Sequence, residues 1–135
     1  MASIVKEATI EADATRCWDA VRDFQAVCER LVPGFVTHAE MTGPRERRVT
    51  FFTGAIAREY LVGVDDERMR LAYTVTEGPI GSSHHNASVQ VIAEGCSRCR
   101  LVWATDLLPD ELEGRSEQMM VEGIRIIKET LEAAR

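Results

Sequence analysis

Three side chains in the middle of the chain, Glu59, Tyr73 and His85, can between them accept and donate a proton. Held together in a cavity, a carboxylate, a phenol and an imidazole are what a cyclisation or a dehydration needs. Their spacing does not by itself bring them together. His84 and His85 are adjacent, so on a strand they point to opposite faces and one site can use only one of them. His85 is the candidate, and its neighbour is expected in solvent. Glu59 is open in both directions. Tyr60, Val62 and Val64 alternate with Glu59, Leu61 and Gly63, and the apolar pattern alone prefers the first set inside. A carboxylate turned inward needs a partner and would serve as a ligand anchor.

Other motifs are poorer in chemistry. Cys96-Ser97-Arg98-Cys99 has the CxxC form. Zinc needs four ligands and there is no second pair at ligand spacing. A redox CxxC opens a helix, whereas this one falls in an expected hairpin turn, so these read as turn cysteines. No nucleophile motif, phosphate loop or dinucleotide fingerprint is present. No catalytic residue, metal or cofactor is assigned. Arg45, Arg47 and Arg48, interrupted by Glu46, read as a solvated hairpin.

The elements that must position these groups come in an informative order. Residues 3–10 alternate like a strand. Asp13 or Thr15 can cap a helix carrying Cys17, Trp18, Val21 and Phe24 at helical spacing. A second short helix is expected over 26–31, before Pro33-Gly34. Strand-like segments follow at 35–41, 47–52, 57–64, 69–75, 84–93 and 100–107, and a long helix over 115–134 closes the chain. On the last hairpin, His85, Ala87, Val89 and Val91 form one inner face, and Leu101, Trp103, Thr105 and Leu107 the other. The closing helix shows Met120, Ile124, Ile127, Leu131 and Ala134 on one stripe, widened by Met119, Val121 and Ile126. Many strands and one long helix predict an α+β fold: a curved antiparallel sheet of about six or seven strands around the C-terminal helix. Such a sheet is hard to fill with side chains and tends to keep an apolar cavity for a small molecule.

The 135 residues are expected to form one domain, with 45% hydrophobic and 28% charged residues as in ordinary globular proteins. A formal net charge of −6 disfavours a nucleic-acid backbone or an anionic membrane surface as partner. No apolar run approaches the ~18–20 residues of a membrane span. Residues 1–7 do not look like a signal peptide, so a cytoplasmic location and four reduced cysteines are expected. Oligomeric state is left open.

Several short stretches carry a resemblance. Cys17-Trp18-Asp19-Ala20-Val21-Arg22-Asp23-Phe24 is similar to a tryptophan-bearing first-helix motif. Gly54, Arg58-Glu59-Tyr60-Leu61 and Asp65-Asp66-Glu67-Arg68 are similar to a strand–turn motif, followed by Tyr73 at an aromatic position. Val102-Trp103 and Leu108-Pro109 match the end of the last strand. In their joint order these segments resemble the polyketide cyclase/dehydrase and lipid-transport family, within the START-like, Bet v 1-like helix-grip (SRPBCC) superfamily, over essentially the whole chain. The resemblance implies a helix-grip fold with two short helices after the first strand and a cavity for a lipid, polyketide-like or aromatic molecule. Segment 59–91 is also similar to plant abscisic acid receptors. There Glu59 and His85 fall on polar pocket positions, and Met120 and Ile124 on pocket-facing helix positions. The receptors' gate loop is missing, and Phe35 stands about where they place a lysine, so hormone reception of that kind is not implied.

Two functions from different classes follow. The first is a binder or carrier of a small hydrophobic molecule, contacted by Glu59, Tyr73, His85, Ala87, Trp103, Met120, Ile124 and Ile127, with Gly78, Pro79 and Gly81 in a rim loop. The second is a cyclase or dehydratase using acid and base groups of the same cavity. A third, a helper that contacts another protein through the outer sheet face or the cavity mouth, would need an exposed apolar patch. On the first reading, Glu59→Gln and His85→Ala are expected to weaken binding without unfolding the protein.

Overall fold

A computed structural model describes residues 1–134. The chain runs β1 (Ala2–Ile10), α1 (Ala14–Arg22), a 3-10 turn (Phe24–Ala26), α2 (Val27–Arg30), β2 (Val36–Met41), β3 (Glu46–Phe51), β4 (Ile56–Asp65), β5 (Arg70–Glu77), β6 (His84–Ala93) and β7 (Cys99–Leu108). A second 3-10 turn, Asp110–Leu112, leads into α3 (Glu113–Ala133). All seven strands form one antiparallel sheet in the order β1-β7-β6-β5-β4-β3-β2. The sheet is open and wraps around α3, a helix-grip fold.

Local sequence explains most of this. The Asp13 side chain accepts the Arg16 N–H and caps α1, which buries Cys17, Trp18 and Val21. Strict alternation in β7 puts Leu101, Trp103, Thr105 and Leu107 inside, and β6 does the same with Ala87, Val89 and Val91. The first and last strands pair from Ala2–Leu107 to Ile10–Cys99. Their pairing places α3 against β1 and β7. The buried stripe of α3 is Ser116, Met120, Gly123, Ile124, Ile127 and Leu131. Val121, expected to widen it, is exposed, because it stands on the helix flank turned from the sheet.

Gly123 sits in that stripe for a steric reason. A Cβ there would lie 2.8 Å from Cζ3 and 3.2 Å from Cη2 of the Trp103 indole. Alanine normally stabilises a helix interior over glycine by about 1 kcal/mol. Overpacking costs about 1–3 kcal/mol, and a rigid indole yields poorly. Gly123→Ala is therefore expected to lower stability despite its better propensity, by about 1 kcal/mol net, in urea unfolding. A more stable variant would show that the indole moves aside at no cost.

Candidate functional site

Between the concave face of the sheet and the helices lies a cavity of about 120 Å³. Most of its wall is apolar: Val21 and Val27 from the first helices, Leu31, Val32 and Phe35 after them, Val49, Leu71, Val89, Trp103 and Leu107 from the sheet, and Met119, Met120 and Ile127 from α3. Residues 78–82, which follow β5, close one side, so Gly78, Pro79 and Gly81 stand where a rim loop was expected. Seven polar side chains interrupt this lining: Arg47, Glu59, Tyr73, Ser82, His85, Thr105 and Ser116.

Arg47 and Glu59 are cross-strand partners on β3 and β4. Arg47 is only 7% exposed and Glu59 8%. Arg47 Nε donates to Glu59 Oε1 at 2.7 Å, Nη2 lies 2.6 Å from the same oxygen, and Nη1 donates to the Phe24 carbonyl at 2.8 Å. The guanidinium carbon stands 3.8 Å above the centre of the Phe24 ring. The cation is thus held by a carboxylate, a carbonyl and a ring face. Both contacts to Glu59 land on Oε1. Oε2 has no protein partner, yet every sealed side-chain nitrogen or oxygen among the described residues is hydrogen-bonded. Oε2 therefore opens onto the cavity as an acceptor.

Burial of Arg47 corrects the reading of Arg45, Arg47 and Arg48 as one solvated hairpin. Only its neighbours behave so: Arg45 donates to the Leu61 and Val62 carbonyls and Arg48 pairs with Glu40. A usable signal was present, since Arg47 alternates with Val49 and Phe51, the apolar face of β3. The apolar preference on β4 is overturned as well. Tyr60, Val62 and Val64 point outward at 42%, 51% and 39% exposure, while Ala57 and Glu59 are buried. The reason is the partner on the next strand. Arg47 neutralises Glu59 inside, while the Arg45 guanidinium lies 5.9 Å from the centre of the outward Tyr60 ring.

Tyr73 on β5 accepts a hydrogen bond from Trp103 Nε1 at 3.2 Å, which leaves its own proton for a further acceptor. Burial raises the phenol pKa, the Glu59 charge adds to this, and Arg47 opposes it, so the hydroxyl stays protonated. On β6, His85 Nδ1 accepts the Val75 N–H at 3.0 Å. An imidazole accepting through Nδ1 is neutral and carries its proton on Nε2. The ladder between β5 and β6 ends at Tyr73–Ala87, and beyond it the ring takes the place of a strand carbonyl. Thr105 and Ser116 are buried without a protein partner for their hydroxyls, and neither hydroxyl is sealed off. Ser116 escaped the sequence reading, although it lies four residues before Met120 on the same stripe.

Burial lowers the His85 pKa from its ordinary 6.5, helped by nearby His84 and opposed by Glu59. Between 6.5 and the lowered folded value, the unfolded chain binds a proton that the folded chain refuses. Stability contributed at this position is therefore lost as pH falls through that window. The stability difference between the wild type and His85→Gln should shift against the wild type between pH 7 and pH 5. A difference that ignores pH would place the imidazole in free solvent.

Of the residues singled out from sequence, Glu59, Tyr73, His85, Trp103, Met120 and Ile127 share this cavity wall. Ala87 and Ile124 are buried but do not reach it. Ala87 has the shortest side chain on its face and stands across from the Tyr73 ring, and Ile124 joins the packed core. The CxxC cysteines separate: Cys96 is exposed and Cys99 buried. Burial pushes the Cys17 thiol up to about 12 and raises that of Cys99, so neither is an activated thiolate. Among the described residues no group of three or more His, Cys, Asp or Glu could hold a metal.

A family model described as polyketide cyclase/dehydrase and lipid transport matches residues 1–134. The chain belongs to this family. Solved structures share its fold. One is an uncharacterised protein from Bacillus thuringiensis, 15% identical, with TM-score 0.88 over 96% of this chain and 98% of that one. Another is a START superfamily protein from Mycobacterium smegmatis, 11% identical, with TM-score 0.75 over 98% and 99%. A third is norcoclaurine synthase from Thalictrum flavum in complex with dopamine and hydroxybenzaldehyde, 18% identical, with TM-score 0.78 over 98% and 85%. At these identities the likeness extends to the fold alone. No curated protein matches the sequence. Among the described residues no helix is long and apolar enough to cross a membrane.

Proposed function

We propose that this member of the polyketide cyclase/dehydrase family binds a small hydrophobic molecule in the cavity between the curved sheet and α3. One observation carries the reading: a mostly aliphatic and aromatic wall with a few convergent polar groups, the usual make-up of a small-molecule site. Glu59, Tyr73, His85, Trp103, Met120 and Ile127 are the proposed contacts, joined by Arg47, Thr105 and Ser116. The chain acts as one START-like ligand-binding domain in the cytoplasm, and the rim at 78–82 admits the ligand.

A second reading, a cyclase or dehydratase, is favoured by the same cavity offering the Glu59 carboxylate as acceptor and the Tyr73 and His85 protons as donors. Binding ranks first because Arg47 already occupies one oxygen of the carboxylate, leaving few free polar groups in a mostly apolar wall. Native mass spectrometry of the freshly purified protein, with extraction of any bound molecule, tests the binding reading. A co-purified apolar species lost from a cavity variant supports it. A protein that is empty and takes up no member of a broad set of lipids and aromatics argues against it.

A further inference from the structure

We propose that the ligand is an uncharged molecule of about one aromatic ring that carries both a hydrogen-bond donor and an acceptor, rather than a fatty acid or another long-chain lipid. This rests on the binding reading above and narrows it.

Size comes first. The cavity measures about 120 Å³. An apolar cavity of about 150 Å³ holds a benzene, so this slightly smaller one takes at most about one ring, with its substituents reaching out toward the rim at 78–82. A long acyl chain would require the core to open by several ring volumes, which close packing resists.

Charge comes second. The Arg47 cation and the Glu59 anion cancel within one contact of 2.6 Å, and the Arg47 guanidinium is already held by Glu59, the Phe24 carbonyl and the Phe24 ring. His85 is neutral, with Nδ1 occupied by Val75. An entering carboxylate would meet the open Oε2 of Glu59 without a spare cation. An entering ammonium could reach Oε2, but Arg47 already cancels that carboxylate's charge, so the site would carry a net positive charge. Either burial is costly without a partner. A neutral ligand meets no such penalty.

Hydrogen-bond chemistry comes third. Glu59 stands across the β4–β5 ladder from Val75, and the His85 ring is bonded to the Val75 N–H. An acceptor, Oε2, and a donor, Nε2–H, therefore flank one residue. A hydroxyl on the ligand donates to Glu59, and a carbonyl accepts from His85 or Tyr73. Left without such a ligand, these groups need water, so a plain hydrocarbon of equal size binds less well.

The protein's two tryptophans give a built-in test. Trp103 Nε1–H is bonded to Tyr73 on the cavity wall, whereas Trp18 Nε1–H is bonded to Asp66 on another part of the molecule. In nitrogen–proton NMR spectra of the full chain, assigned with Trp18→Phe, each probe is titrated near pH 6.5. The probes are 4-hydroxyacetophenone, 4-hydroxybenzoate, ethylbenzene and oleate. The expected result is a saturable shift of the Trp103 indole with 4-hydroxyacetophenone, an unmoved Trp18, and affinity at least roughly tenfold weaker for 4-hydroxybenzoate and ethylbenzene. His85→Ala should weaken the hydroxyacetophenone titration. Equal or tighter binding of 4-hydroxybenzoate overturns the neutral assignment, and of ethylbenzene the hydrogen-bonding one. Saturation by oleate with no response to the single-ring probes overturns the size assignment while leaving the binding reading standing. If no probe moves Trp103, this inference fails, and the mass-spectrometric experiment decides separately whether the cavity binds anything.

Discussion

Replacing Arg47 by methionine should destabilise the fold by about 3–5 kcal/mol, the usual cost of removing one partner from a buried ion pair. Methionine fills much of the volume but leaves the Glu59 carboxylate without its cation and the Phe24 carbonyl without its donor. The stacking on Phe24 goes as well. Replacing both partners, as in Arg47→Met with Glu59→Leu, should recover most of the loss, because an apolar pair needs no desolvation of charge. Urea unfolding of the two single variants and the double variant gives the coupling directly. An Arg47→Met variant within about 1 kcal/mol of the wild type would put the guanidinium in water. The same pair changes the expectation for Glu59→Gln. That substitution was expected to spare stability, but it removes the counter-charge of Arg47 and should carry part of the same loss. Binding measured on it must be corrected for the folded fraction.

Trp103→Ala should cost about 3 kcal/mol, the low end of the range for removing a buried aromatic. One edge of the indole packs against Gly123 and the nitrogen bonds Tyr73, and both contacts are lost. The ring also borders the cavity, where it has no packing partner to lose, and this keeps the cost down. The new space joins the existing cavity. The variant should therefore accept larger apolar probes than the wild type does, and Trp103→Phe should fall between the two. A loss below about 1 kcal/mol would mean the indole is largely solvated, and an unchanged size preference would mean that it does not bound the ligand space.

These two variants lie on opposite sides of what the sequence could reveal. Trp103 was legible, because β7 alternates cleanly and its inward set of Leu101, Trp103, Thr105 and Leu107 is fixed by a period of two residues. The inward direction of His85 followed from the same rule, as did the stripe of Met120, Ile127 and Leu131 on α3 from a period near 3.6. The order of strands before one long helix was enough to expect the helix-grip architecture. All these features depend on neighbours a few residues apart.

Arg47 and Glu59 were not legible in the same way. Each is a charged residue whose type points to solvent, although alternation on β3 sets Arg47 with Val49 and Phe51, and each is buried with the other opposite on the adjoining strand, twelve positions away. Their pairing also decided which face of β4 turns inward, against the apolar preference of Tyr60, Val62 and Val64. The sequence by itself determined the elements, the alternation of β6 and β7, and the presence of a cavity-forming architecture, since periodicity is a local property. Only the tertiary structure decided that the cavity is small, that its charges cancel, and that an acceptor and a donor flank Val75. Burial of a charge depends on a partner brought by strand register, and register is set by the whole sheet.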